Sequence, residues 1–174
     1  MIQFPKGARV LDLGTGGGLP GIPLSVMLPD VNFVLIDSIQ KKISAVQDMV
    51  SALGLKNAST LCGRAEDLNT RSELRHSFDA VIARSVSRLE NLVFWSMPFL
   101  KPRGSADPLT FRSEDSVSII LPSLITVKGG ETEDEIIQTR KRFPGVHIHT
   151  LNLSFEGSET LQNSDKKLVI VENG

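Results

Sequence analysis

Four glycines crowd the end of an apolar run near the start of this chain: V-L-D-L is followed by Gly14, Gly16, Gly17 and Gly18, with Asp12 inside the run. Leu19, Pro20, Gly21 and Pro23 come next and open a short apolar segment over 22–28. The order reads as strand, glycine-rich turn, helix start. Glycine reaches positive φ without steric cost and lets a ligand lie against bare backbone. A helix starting there turns unpaired N–H groups and the positive end of its dipole toward the turn. Proline at a first helical position gives up no bond, because its N–H would be unpaired anyway. The chemistry implied is the binding of a nucleotide-like ligand with a polar or anionic tail. A tight structural turn is the plainer alternative; four glycines in five positions directly after a strand favour binding.

A second candidate is Asp37, which ends the apolar run V-N-F-V-L-I and stands 23 residues after Gly14. A βαβ unit places an acid at the tip of its second strand, where it accepts hydrogen bonds from both ribose hydroxyls. Its alternative is an acid at a helix start, since Ser38 and a helical pattern follow; the glycine turn favours the ribose role. Arg64, Ala65 and Glu66 follow a third apolar run, Arg84 a fourth, and Lys128 a fifth. For Arg84 a cleft-facing role and a surface ion pair are equally compatible with the sequence.

These residues need a frame. Strands are expected over 8–13, 31–36, 58–62, 78–83 and 124–127. Ile39, Ile43, Val46, Val50 and Leu53 recur at helical period, with Gly54 as the stop. Lys41 and Lys42 read as that helix's solvated face. Leu89, Leu92, Val93, Met97 and Leu100 predict a helix over 89–100, with Phe94, Trp95 and Phe99 as core packing. Residues 105–116 read as a polar loop. Thr132-Glu133-Asp134-Glu135 has the pattern of a capping box opening a helix to Phe143. Two strands over 146–155 and 167–171 close the chain as an antiparallel pair. The sum is one α/β domain, residues 1–174. A mostly parallel seven-stranded sheet carries helices on both faces and an antiparallel terminal strand. In such sheets ligands bind outside the C-terminal strand ends, where all the candidates converge.

Composition narrows the partners. A net charge of −1 and a pI near 6.3 provide no global field for nucleic acid, so any such contact must be a local patch. Arg88, Lys101, Arg103, Arg140, Lys141 and Arg142 are its weaker candidates, each otherwise a solvated charge. The apolar runs are too short to span a bilayer, so no membrane role is expected. The single Cys62 fits a reducing cytosol and a cytoplasmic protein. His76, His147 and His149 form no metal spacing with it, so no metal is expected.

D-L-G-T-G-G-G with an acid after the second strand resembles the class I S-adenosylmethionine-dependent methyltransferases. More narrowly, L-D-L-G-T-G-G-G-L-P-G-I-P-L, L-I-D-S-I-Q-K-K, L-G-L-K-N, G-R-A-E-D-L, V-I-A-R-S-V and V-K-G resemble one family. It is the bacterial small-subunit ribosomal RNA guanine-N7 methyltransferases, also called glucose-inhibited division protein B. The resemblance runs from about Val10 to Gly130 and implies a Rossmann-like fold with S-adenosylmethionine as cofactor. It implies that Gly14, Gly16, Gly18 and Leu19 line the methionine and ribose part, that Asp37 and Ser38 hold the ribose, and that Ala65 and Glu66 meet the adenine. Arg84 would touch the cofactor carboxylate or the target side, and Arg84 with Lys128 would stand near the target base as the catalytic pair. The implied substrate is a guanine of 16S ribosomal RNA near the decoding centre, on naked RNA or the small ribosomal subunit, with the enzyme a monomer. Three departures accompany it. The family's helical segment before the first strand is expected to be absent, the 105–123 region is longer and more polar than usual, and Ser85 replaces the alanine of R-A-V. Two rivals follow from the same residues. Gly16 to Gly21 also fits G-x-G-x-x-G, the signature of an NAD-dependent Rossmann oxidoreductase. A module that binds S-adenosylmethionine or RNA without turnover is the other.

Overall fold

The computed structural model describes residues 4–84, 86–104, 109–110, 118–119, 121–130, 132–152 and 166–173, and among them nine strands and five helices. The first four strands are β1 (Arg9–Leu13), β2 (Asn32–Asp37), β3 (Ala58–Cys62) and β4 (Ala80–Arg84). The helices α1 (Gly21–Met27), α2 (Gln40–Ala52) and α3 (Ala65–Leu68) follow the first three, and α4 (Leu89–Ser96) follows β4. A short antiparallel pair, β5 (Leu109–Thr110) and β6 (Ser118–Ile119), precedes β7 (Ser123–Lys128), α5 (Glu133–Arg142), β8 (Val146–Asn152) and β9 (Lys167–Asn173).

The main sheet has the order β3-β2-β1-β4-β7-β9-β8. All neighbours are parallel except β9, which runs antiparallel to both β7 and β8. This is the expected mostly parallel seven-stranded sheet, with one refinement. The two terminal strands pair as expected, and the last of them slips between β7 and β8.

Strand alternation sorts the core into two layers. Val10, Phe33, Leu35, Ala80, Ile82, Ile125 and Ile170 face α1 and α2 through Ile22, Val46 and Val50. Leu11, Leu13, Ile36, Val81, Ala83, Leu124 and Val169 face Leu68 of α3 and Leu89, Leu92 and Val93 of α4, with Ile136 of α5 packed against them. Both faces of β1, β2 and β4 are covered, which explains their nearly unbroken apolar sequences.

Helix ends show where local signals win and lose. Gly54 ends α2 as expected: φ is +64°, its N–H bonds the Ser51 carbonyl and the Leu55 N–H bonds the Val50 carbonyl, a Schellman stop. Only Ile43, Val46 and Val50 of the expected stripe are buried, while Ile39 and Leu53 are exposed. The helix expected over 89–100 ends at Ser96: Met97 is still helical in conformation and bonds the Val93 carbonyl, but Pro98 has no N–H to continue the ladder, and Leu100 instead bridges Phe78. Asn57, the last residue of the L-G-L-K-N string and given no role by it, donates to the carbonyls of Ser25, Leu28 and Val31 and ties α1 to the start of β3. The expected capping box at α5 does not form: Thr132 makes no side-chain cap hydrogen bond, and Glu135 is engaged elsewhere. Residues 105–108 and 111–116 of the expected polar loop, and residues 153–155 of the expected strand, lie outside the described residues.

Candidate functional site

The glycine turn is fastened to the sheet. The N–H groups of Gly14 and Thr15 both donate to the Ile36 carbonyl, so the turn hooks over the end of β2. Gly14, Gly16 and Gly18 have φ of +73°, +58° and +89°, which accounts for the glycine run. Beneath the turn lies Asp12, fully buried. Its Oδ2 accepts from the Thr15 hydroxyl at 2.7 Å and the Gly21 N–H at 2.9 Å. Burial pushes its carboxyl up to about 6, against these two hydrogen bonds and the attraction of Arg84.

This corrects one expectation. The start of α1 does not offer its amides to a ligand. Gly21 N–H is held by Asp12, Ile22 N–H by the Gly18 carbonyl, and Pro23 has none. Pro20 precedes the helix rather than opening it. The bare backbone of the turn itself is what remains for a ligand.

Asp37 ends β2 and is 8% exposed. Its Oδ2 accepts from Gly16 N–H at 3.1 Å, its Oδ1 from Ile39 N–H at 3.0 Å, and the Lys42 ammonium stands 3.6 Å away. The carboxylate braces the glycine turn and, as the helix-start alternative expects, steadies the approach to α2. Each oxygen keeps a further lone pair, which is what the ribose alternative requires.

Around this carboxylate opens a cleft of about 310 Å³. It brings together Gly14, Asp37, Ser38, Ala65 and Glu66 from the expected set, with Leu13 and Ile36 as its floor. It also takes in Arg64, expected at the same strand tip, and Ile39, Lys42, Val86 and Trp95, for which the sequence suggests no ligand role. Trp95, expected as core packing, is half-buried, packs against the core and still presents itself to the cleft. Phe99 is fully buried as expected, whereas Phe94 is 50% exposed beneath the Arg142 guanidinium. A helical stripe shows which side chains share a face; here the tip of that face reaches the cleft.

The remaining expected residues lie outside the cleft lining. Gly16 touches it through the Asp37 carboxylate. Gly18 is buried and Leu19 is 44% exposed on the outer side of the turn. Arg84, exposed at the tip of β4, makes no hydrogen bond or ion pair among the described residues and is felt electrostatically by Asp12. Lys128 does sit at the neighbouring tip, since Arg84 registers with Val127. Its ammonium, however, is 14% exposed and committed, donating to the Ser87 carbonyl at 2.6 Å and to Glu135 at 2.8 Å. Burial raises the Glu135 carboxyl, but Lys128 and the Leu89 N–H together outweigh it and hold it below its usual range.

The weaker basic candidates divide by edge. Arg88 stands at the cleft edge, directly before α4. Lys101 and Arg103 follow α4, and Arg140, Lys141 and Arg142 end α5, so all five lie toward the opposite edge of the sheet. Several are occupied: Lys101 pairs with Asp79 at 2.7 Å, and Arg140 donates to the Ile148 carbonyl. Among the described residues no three His, Cys, Asp or Glu side chains converge as metal ligands would, and no helix is long and apolar enough to cross a membrane.

The strand order and the cleft at its C-terminal edge define a class of fold: class I S-adenosylmethionine-dependent methyltransferases. An S-adenosylmethionine-dependent methyltransferase from Aquifex aeolicus superposes with a TM-score of 0.62 at 17% identity, covering 95% of this chain and 82% of that one. A ribosomal RNA methylase from Streptococcus thermophilus gives 0.60 at 14%, covering 97% and 87%. The family model for rRNA small subunit methyltransferase G (GidB) matches residues 1–111, and the chain belongs to that family. Among curated relatives, the ribosomal RNA small subunit methyltransferase G of Chlorobium limicola is 43% identical over 84% of this chain and 54% of its own length. That of Cytophaga hutchinsonii is 35% identical over 90% and 65%. The chain spans about half the length of the first of these relatives. None of these matches supports the dehydrogenase reading or the non-catalytic one.

Proposed function

We propose that this chain binds S-adenosylmethionine in the cleft and directs methyl transfer to N7 of a guanine in 16S ribosomal RNA. The observation that carries the cofactor reading is Asp37: a nearly buried carboxylate, braced by two backbone N–H groups, with lone pairs left over at a cleft of about 310 Å³. Such a group suits the paired hydroxyls of a ribose. Ser38 and Ile39 then flank the sugar, Ala65 and Glu66 meet the adenine, and the backbone at Gly14 and Gly16 receives the methionine part; Gly18 is buried with both backbone groups bonded within the turn, and its role with Leu19 is to hold the turn's shape. Bound there, S-adenosylmethionine supplies an activated methyl group. Guanine N7 carries an in-plane lone pair and no proton, so the protein's work is alignment and exclusion of water rather than general-base catalysis. Arg84, unpaired at the rim among the described residues, is the cation we assign to the guanine O6 or a neighbouring phosphate. Lys128 we place behind that wall, because its ammonium is already taken. We read the chain as one domain that works as a monomer in the cytoplasm, which sedimentation of the purified chain tests.

The test is a pair of titrations followed by a transfer assay. S-adenosylmethionine should bind and NAD should not. Asp37→Ala should weaken the cofactor by roughly 1.5–3 kcal/mol, the range for hydrogen bonds to a charged acceptor. Radiolabelled methyl should appear on small-subunit RNA, offered as naked RNA or as assembled subunits. Binding of NAD in preference, or an unchanged affinity in Asp37→Ala, overturns the cofactor assignment. Cofactor binding without transfer to either substrate overturns the reaction.

A further inference from the structure

We infer that Glu135, on α5 and outside the cleft lining, is a positioning residue for the cofactor cleft. It acts through residues 86–89, the segment that carries Val86 into the cleft lining. The inference rests on the cofactor reading above.

The segment is pinned at both ends. At one end Val86 lines the cleft and fits against the glycine turn so closely that a Cβ on Gly14 would lie 2.7 Å from a Val86 methyl. At the other, the first amide of α4, Leu89 N–H, donates to Glu135 Oε2 at 3.1 Å. The same oxygen takes the Lys128 ammonium at 2.8 Å, and that ammonium also holds the Ser87 carbonyl at 2.6 Å. One carboxylate thus ties the end of β7, the loop after β4 and the start of α4 to a single helix.

Two details argue that this tie is specific to the loop. Arg88, the residue before α4, gives that helix no side-chain cap, so its unpaired N-terminal amide, on buried Leu89, is satisfied by an acid from the neighbouring helix. And Glu135 occupies the third position of its own helix, where it could have reached back to Thr132; that local bond is not made. The carboxylate serves α4 instead of α5. Since α4 also carries Trp95 to the cleft, a slip of its start moves two wall residues, Val86 and Trp95, together.

The experiment uses the full chain and its variants Glu135→Ala, Glu135→Gln and Asn57→Ala. The last removes a clamp at the far edge of the sheet and serves as a destabilised control. By calorimetry, Glu135→Ala should raise the dissociation constant for S-adenosylmethionine about tenfold and also lower turnover at saturating cofactor. Glu135→Gln keeps an acceptor for Leu89 and Lys128 and should stay within about threefold of wild type. Asn57→Ala should lose thermal stability and keep wild-type affinity. In the ligand-free chain, Leu89 amide exchange should accelerate in Glu135→Ala and not in Asn57→Ala. Wild-type affinity in Glu135→Ala, or an equal weakening in Asn57→Ala, overturns the positioning role. A wild-type chain that binds cofactor but methylates no RNA overturns the proposed reaction, while the affinities still decide the role of Glu135. A wild-type chain that does not bind S-adenosylmethionine overturns both.

Discussion

Asp12 carries a charge in a place that disfavours charge. Its carboxyl is pushed from 3.8 to about 6, chiefly by burial, and one of its oxygens, Oδ1, has no hydrogen-bond partner among the described residues. The folded chain therefore holds this proton between pH 4 and 6, where the unfolded chain has released it. Stability from Asp12 is present at low pH and lost as pH rises to about 6, then level above. At 1.36 kcal/mol per pH unit the whole swing is about 3 kcal/mol. Urea unfolding of wild type and Asp12→Asn from pH 4 to 8 should show wild type losing about 3 kcal/mol relative to the variant up to about pH 6.5, with no further relative change beyond. A difference independent of pH, or a carboxyl midpoint below 4 by NMR, contradicts the shift. At this scale the sequence is informative about identity and mute about partners. Asp12 and Asp37 stand out by position, yet that both acids brace the glycine turn follows only from the fold. Lys128 sits at its expected tip with its ammonium already engaged, for the same reason: a strand tip fixes where a side chain starts, and Glu135, seven residues on, decides where it ends.

Between strand and helix the decisive position is Gly21, where α1 begins against β1 and β2. A Cβ there would lie 2.6 Å from both Asp12 Oδ2 and a Leu35 methyl. Its φ is ordinary, so the restriction is space alone. Gly21→Ala should gain up to about 1 kcal/mol in helix propensity. Overpacking costs about 1–3 kcal/mol and strains the Asp12 bond as well. We expect a net destabilisation, read as a lower thermal midpoint; an unchanged or raised midpoint means the turn yields easily. Elements are legible where pattern and packing agree, as in the doubly covered β1, β2 and β4, or in the stop at Gly54. They are not legible where a distant group outcompetes a local one. The capping box of α5 is good local chemistry, yet its glutamate goes to an amide 46 residues away.

Across the whole molecule the basic residues fall on two edges, and the cleft opens on only one of them. Arg84 and Arg88 share its edge; Lys101, Arg103, Arg140, Lys141 and Arg142 lie toward the other. If RNA docks at the cleft rim, Arg88→Ala should weaken binding and flatten its salt dependence. The log–log slope should change by roughly 0.7–0.9 for each phosphate that Arg88 would otherwise neutralise, whereas Lys141→Ala should leave the slope unchanged. Filter binding at four salt concentrations measures both, and equal slopes for the two variants exclude a rim-centred footprint. This division is invisible in the sequence, where all of these residues simply count as positive charge. The mostly parallel sheet is legible because alternating strands and helices leave few right-handed solutions. The insertion of β9 between β7 and β8 is not, since an antiparallel pair can join a sheet by either strand.

That insertion has a consequence for how the molecule is made. The ribosome delivers β7 well before β9, yet among the described strands β9 alone closes the outer edge of β7 and alone adjoins β8 in the sheet. Until residues 167–173 emerge, β7 presents a row of unpaired backbone groups next to a half-built core. The nascent chain is therefore most prone to aggregate in the interval between the synthesis of β7 and that of β9, and a pause of translation there would lengthen the exposure.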